Sequence, residues 1–161
     1  MNDLKHLLKE IRMLVCDFDG VFTNNKVYSD ENGREMVRCD RSDSLGIALL
    51  KKNRPDIQIS VISKEKNPVV VARCKKLGIS CYSGVDDKLS YLNSFLDDQD
   101  ISITDVAYIG NDWNDRECIR AAGIGIVVAD SHHSVLPLAD IVTSKNGGDG
   151  AIREIIDIIL E

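Results

Sequence analysis

Two aspartates one residue apart, Asp17 and Asp19, follow the apolar run "MLVC" and precede Gly20 in "VCDFDGVFTN", residues 15–24. Side chains alternate along an extended strand, so both carboxylates are expected on one side and Phe18 on the other. Like charges held that close persist where a cation or a shared proton compensates them, or where they open to water. Such a pair can do chemistry on phosphorus. One carboxylate attacks to form an acyl phosphate, while the other protonates the leaving oxygen and later activates water. Gly20 permits a sharp turn beside them. An acidic surface turn accounts for the D-x-D spacing equally well.

Three further stretches repeat the pattern of an apolar run ending in polar residues. "YIGNDWND" (108–115) carries Asp112 and Asp115 after Gly110, and oxygen ligation of Mg²⁺ is a natural use for them. Asp112 is the better direct ligand, with Asp115 close by or supporting it from behind; Asp112 also suits the N-cap of "NDRECIRAA", and the two roles are compatible. "ISVISKEKN" (59–67) ends a strand at Ser63, whose hydroxyl can hold a phosphoryl oxygen or close a turn. Lys88 opens the helix "KLSYLNSFL", where the macrodipole disfavours a cation, so it either pairs with the acidic site or is solvated beside Asp86 and Asp87.

These residues need a scaffold, and the chain supplies one. Its 161 residues are 43% hydrophobic and 29% charged, enough for a sizeable core in a single domain spanning 1–161. Apolar runs stay well short of the roughly 20 residues of a membrane span, and "MNDLKHLLKEIR" is amphipathic rather than a leader. A cytoplasmic location without membrane contact is expected. The five cysteines are scattered singly, which argues against a disulfide framework or a zinc site and for a reducing compartment. A net charge of -6 disfavours nucleic acid, and acidic residues clustered in a site would instead suit a divalent cation.

Strand-like runs near 12–17, 57–62, 79–82, 105–109, 124–128 and 140–142 alternate with helical stretches at 3–11, 44–53, 68–77, 87–98, 113–122 and 149–160. That alternation predicts an α/β fold, a parallel sheet covered by helices on both faces. Asn67 and Pro68 read as the start of one helix and Gly78 as its end. Lys51, Lys52 and Arg54 close the preceding helix near its negative pole. Between the first strand and the first long helix, residues 25–39 read as a β-hairpin turning at Asn32-Gly33.

Taken in order at successive strand ends, "DFDGVFT", Ser63, Lys88 and "GNDWND" resemble the four motifs of the haloacid dehalogenase superfamily over essentially the whole chain. The resemblance implies a Rossmann-like three-layer sandwich with a mostly parallel sheet and, since neither inter-motif gap has room for a cap domain, only the 25–39 hairpin as a flap. It also implies Asp17 as nucleophile and Asp19 as acid/base. Mg²⁺ would be held by Asp17, the Asp19 backbone carbonyl and Asp112, with Asp115 close by, and Ser63 and Lys88 would bind the phosphoryl group. An acid/base at Asp19 favours a phosphatase within this varied superfamily.

"DGVFTNNKVYSDENGRE" and "GGDGAIREI" are similar to segments of the capless phosphatases acting on 2-keto-3-deoxy sugar-acid phosphates, namely 3-deoxy-manno-octulosonate 8-phosphate and the acylneuraminate 9-phosphates. "EMVRCDRSDSLGIALLKK" (35–52) resembles the phosphatase-type domain attached to some acylneuraminate cytidylyltransferases, which favours a nonulosonate and leaves open a non-catalytic module. Asn24 departs from the aspartate usual in that subfamily. Gly20, Thr23, Arg41, Asp43 and Arg153 are the candidates for substrate contacts. Asp43 and Ser44 could instead cap the following helix, Arg41 could pair on the surface, and Arg153 could pair with Glu154 or Asp157. Trp113 is expected beside the site, and His132 and His133 in a polar loop. The resemblance further implies a homotetramer with sites near subunit interfaces, each completed by a neighbouring chain.

Overall fold

The computed structural model describes residues 2–161, with side chains from residue 6 onwards. The chain runs α1 (Asn2–Glu10), β1 (Met13–Cys16), β2 (Thr23–Ser29), β3 (Glu35–Cys39), α2 (Arg41–Asn53), β4 (Gln58–Ile62), α3 (Val69–Leu77), β5 (Ser80–Tyr82), α4 (Lys88–Asp98), β6 (Val106–Gly110), α5 (Arg116–Ala121), β7 (Ile124–Val127), β8 (Ile141–Val142) and α6 (Ala151–Leu160). Six strands form one parallel sheet in the order β5-β4-β1-β6-β7-β8, and β2 and β3 pair separately as an antiparallel hairpin. No helix among the described residues is long and apolar enough to cross a membrane.

Both faces of the sheet are buried, so its strands read as continuous apolar runs. Alternation along β1 still sorts the side chains. Leu14 and Cys16 join Ile47 of α2 and Ile152 and Ile156 of α6, while Met13 and Val15 join Leu92 of α4 and Ile119 of α5. That gives the three layers expected. β1 lies between β4 and β6, so the chain leaves the sheet centre in opposite directions, and the crevice at the C-terminal strand ends is where such sheets bind ligands.

Element boundaries differ from expectation where caps decide them. α2 begins at Arg41 because Asp40 Oδ1 accepts from both the backbone N–H and the hydroxyl of Ser42 at 2.6 Å. Asp43 and Ser44 therefore lie within the first turn and do not start the helix. The helix expected over 113–122 is split, because Asp112 and Asp115 cap a 3₁₀ turn over Trp113–Asp115 before α5 begins. Asn67 Oδ1 does accept the Val69 N–H at 3.0 Å, and Gly78, at φ 63°, ends α3. Lys51 then donates to the Gly78 carbonyl at 2.7 Å, so the basic end of α2 also closes α3. In the hairpin, Gly33 is left-handed (φ 74°), but the loop spans three residues rather than two. Asp30 bonds Arg34 backbone to backbone at 3.0 Å, and its Oδ1 accepts from the Asn32 and Arg34 N–H groups.

Strict alternation stops at Asp17, whose N–H still donates to the Ile109 carbonyl at 2.9 Å. The chain then curls, with the Phe18 carbonyl accepting from the N–H groups of Val21, Phe22 and Thr23. Phe18 and Phe22 are buried beneath the curl with ring centroids 5.7 Å apart. Truncating Phe22 to Ala is expected to cost about 3–5 kcal/mol in urea unfolding. A variant as stable as the parent would show that the curl does not depend on this stack.

Candidate active site

Asp17, Asp19, Ser63 and Asp112, from the ends of β1, β4 and β6, line one cleft of about 120 Å³. Asn25, Lys64, Glu65, Asn111 and Asn114 complete its wall, and none of these was picked out from the sequence. Asn25 had a readable signal. It is left-handed at φ 58°, a conformation asparagine tolerates better than other side chains, and it directly follows Asn24 in the first motif. Ser63 Oγ accepts the Glu65 N–H at 3.1 Å, which leaves its proton free for a phosphoryl oxygen. The Asp19 carboxylate has no hydrogen-bond partner among the described residues.

Behind the cleft stands a buried ionic cluster. Lys88 Nζ lies 2.8 Å from Asp17 Oδ1 and 2.7 Å from Asp115 Oδ1, with the lysine side chain 2% exposed. Burial pulls the lysine's pKa down, and the two carboxylates more than reverse this, leaving it raised. The Asp17 carboxyl is pushed up to about 7, first by burial and then by the charge of Asp115, with Lys88 pulling the other way. Asp19 is also raised, by burial and then by Glu65, against the pull of Lys88. Asp87 does not solvate the lysine. It caps α4 through Ser90.

Asp115 is not placed as a metal ligand. Oδ1 accepts from Lys88 and from the Tyr108 hydroxyl at 2.8 Å, and Oδ2 accepts from the N–H groups of Asn111 and Asp112 at 3.0 and 3.4 Å. With both lone pairs of each oxygen taken, and no exposure, it anchors the turn that presents Asp112.

The substrate-contact candidates lie off the cleft wall. Gly20 (φ 83°) sits behind the cleft wall, where a Cβ would fall 2.0 Å from Asn111 Nδ2. Thr23 is buried and its Oγ1 closes the curl by accepting from the N–H groups of Gly20 and Asn25. Arg41 is exposed on the first turn of α2 and off the cleft. Asp43 is buried between α2 and α6, where its Oδ1 accepts the Arg153 N–H at 2.8 Å, and burial raises its carboxyl to about 6. Arg153 takes the surface alternative, pairing with Asp157 at 2.7 Å. Asn24 leaves its Oδ1 buried without a partner. Trp113 is exposed under the Arg116 guanidinium, 4.1 Å from the ring centroid, and off the cleft wall. His132 and His133 lie in the loop after β7 with their rings tilted by 42°, and His132 Nδ1 comes within 4.0 Å of Asp112 Oδ1.

The donor atoms facing the cleft suit a hard cation. Asp17 Oδ2, Asp112 Oδ2 and the Asp19 carbonyl accept no hydrogen bond among the described residues, and Asn111 Oδ1 is buried without a partner beside them. All are oxygens, and no thiol or imidazole lines the cleft. No three His, Cys, Asp or Glu side chains among the described residues converge as a ligand set. Two carboxylates, a carbonyl, waters and a phosphate oxygen match the needs of Mg²⁺.

Comparison with known proteins defines the class. A model of the haloacid dehalogenase-like hydrolases matches residues 47–155, and the chain belongs to that family. Among curated proteins it is similar to the 3-deoxy-D-manno-octulosonate 8-phosphate phosphatase of Escherichia coli, 35% identical over 98% of this chain and 84% of that one. Among solved structures it resembles an HAD family hydrolase from Streptomyces avermitilis at 42% identity and a TM-score of 0.91, covering 95% and 87% of the two chains. It also resembles the octulosonate 8-phosphate phosphatase of Moraxella catarrhalis in complex with magnesium, phosphate and KDO, at 32% identity and a TM-score of 0.94, covering 99% and 91%.

Two measurements test the cluster. Lys88→Met leaves a buried charge uncompensated and should destabilise the fold by about 3–5 kcal/mol in urea unfolding. Tyr108→Phe, which removes a single bond to Asp115, should cost about 1 kcal/mol. Separately, Asp17 and Asp43 hold protons in the fold that the unfolded chain releases near the ordinary value of 3.8. Their contribution to stability is full below that value and is lost as pH rises through about 6 for Asp43 and about 7 for Asp17. Without divalent cation, the melting temperature should fall as pH rises across that window, and Asp17→Asn should flatten the fall.

Proposed function

We propose that the chain is a single-domain, Mg²⁺-dependent phosphatase that removes phosphate from a 2-keto-3-deoxy sugar acid through an aspartyl phosphate on Asp17. The observation that carries this reading is Asp17 itself, backed by Lys88 and opening on a cleft shared with Asp19, Ser63 and Asp112. Asp17 Oδ1 accepts from the Phe18 N–H at 2.7 Å and lies 2.8 Å from Lys88 Nζ, which fixes the carboxylate that attacks phosphorus. As the new P–O bond forms and the ester bond breaks, protonated Asp19 gives its proton to the sugar oxygen. The Asp19 carboxylate then takes a proton from water, which attacks phosphorus, releases inorganic phosphate and restores Asp17. Ser63 donates its hydroxyl proton to a phosphoryl oxygen. Mg²⁺ held by Asp17, the Asp19 carbonyl and Asp112 would neutralise phosphoryl charge and help ionise Asp17.

The cleft is small against the roughly 300–1,000 Å³ of ordinary ligand pockets, so it suits the phosphate end, with the sugar acid leaving through its mouth. The curated relatives favour octulosonate 8-phosphate, and the likeness of residues 35–52 to cytidylyltransferase-linked domains favours an acylneuraminate 9-phosphate. Further enclosure comes from assembly. The hairpin exposes Val27, Tyr28 and Met36 by 55%, 55% and 62%, an apolar surface suited to a homotetramer interface near the sites. Five free cysteines fit work in the reducing cytoplasm.

The test is phosphate release with Mg²⁺ from a panel holding both sugar-acid phosphates, a nucleotide and a phosphopeptide, using the parent and Asp17→Asn. The parent should turn over the sugar-acid phosphates with the higher kcat/KM, and the folded variant should release nothing. Silence of the parent on every substrate would support a non-catalytic module, and turnover by Asp17→Asn would overturn the nucleophile.

A further inference from the structure

Asp43 is 1% exposed, lies off the cleft, and would be costly to keep there without a task. Its Oδ1 accepts the Arg153 N–H in the first turn of α6, and the Ile152 N–H also faces the carboxyl. The residue at the N-cap of α6 is Gly150, at φ 94°, with no side chain to cap the helix, so the capping carboxylate arrives from α2. The two helices touch closely here, since a Cβ on Gly46 would fall 2.8 Å from Arg153 Cδ.

The segment that leads into α6 is wedged against the catalytic curl. Gly148 N–H donates to the Val21 carbonyl at 3.0 Å. A Cβ on Gly147 would fall 1.8 Å from the Gly20 oxygen, and one on Gly148 2.4 Å from the Asn24 nitrogen, so backbone packs directly on backbone. Asp130 Oδ1 holds the Gly147 N–H at 2.9 Å from the other side. The curl carries Asp19 and is followed directly by Asn25, both on the cleft wall.

We propose that Asp43 is a positioning residue of this enzyme: by capping α6 from α2 it holds the Gly147–Gly148 wedge against residues 20–24 and so sets where Asp19 and Asn25 stand in the cleft. This role is separate from the substrate contact expected of Asp43. It rests on the phosphatase reading for its kinetic readout and on no activity for its structural one. A wedge that slips by a fraction of an ångström misplaces the proton donor without removing any group that binds phosphate.

The experiment compares Asp43→Ala, Asp43→Ser and Asp43→Asn with the parent, by steady-state kinetics on p-nitrophenyl phosphate with Mg²⁺ and by amide hydrogen exchange. Asp43→Ala should lower kcat roughly ten-fold or more while KM moves less than about two-fold, and Asp43→Asn, which keeps an acceptor oxygen, should restore most of kcat. Exchange at the Gly148 amide should speed up in Asp43→Ala relative to amides of β1 and β6, and return in Asp43→Asn. Asp43→Ser, which keeps the site small and polar, supplies the same two readings if the alanine variant does not fold. A lowered melting temperature with unchanged kcat and unchanged Gly148 exchange would overturn the proposal, as would equal kcat losses in the alanine and asparagine variants. A parent inactive on every phosphate ester would sink the phosphatase reading, while the exchange comparison would still decide whether Asp43 holds the wedge.

Discussion

The ammonium of Lys88 is the hinge of the structure. It holds two buried carboxylates that would otherwise repel each other, Asp17 from the end of β1 and Asp115 from the turn after β6. While Asp17 holds its proton, below about pH 7, the one positive charge balances Asp115, and ionising Asp17 leaves one negative charge in surplus at the floor of the cleft. Buried ion pairs contribute little net stability when complete and cost several kcal/mol when broken. The arrangement is better understood as a device for register. Strand, turn and helix must all be in place before any of the three charges is satisfied. A divalent cation would compensate the charge that appears when Asp17 ionises, and the two carboxylates account for a lysine sitting at the unfavourable pole of α4.

Much of the fold was legible because the signals were local and redundant. Apolar runs marked the six strands of the parallel sheet, Asn67 and Gly78 bounded α3, and Gly33 marked the hairpin. Misplaced boundaries trace to side chains acting one or two residues outside the apolar period. Asp40 started α2 early, and the reciprocal caps of Asp112 and Asp115 broke one expected helix in two.

The site was legible only in part, for a different reason. Asp17, Asp19, Ser63 and Asp112 were readable because each ends an apolar run, and strand ends on one edge of a parallel sheet meet in space. Nothing comparable marks a residue whose partner lies far along the chain. Asp115 carries the same carboxyl as Asp112, yet Lys88 and Tyr108 turn it inward. Asp43 and Arg153 both looked apt for a sugar acid, and they meet each other instead, side chain to backbone. Thr23 reaches only its own loop. Asn111 and Glu65 passed unnoticed because an amide or a carboxylate in a turn is ordinary until its neighbours are known.

The wedging of Gly147 and Gly148 beneath residues 20–24 bears on how the molecule comes into being. The catalytic curl is made early in synthesis, but the backbone that braces it lies next to the last helix, and β1 cannot complete its pairing until β4 and β6 have both emerged. Contacts between such distant positions are slow to form, because loop-closure entropy must be met first. Asp17 therefore emerges from the ribosome before the strands and the backbone that surround it. A chain without residues 147–160 would lack the backbone that packs against residues 20–24.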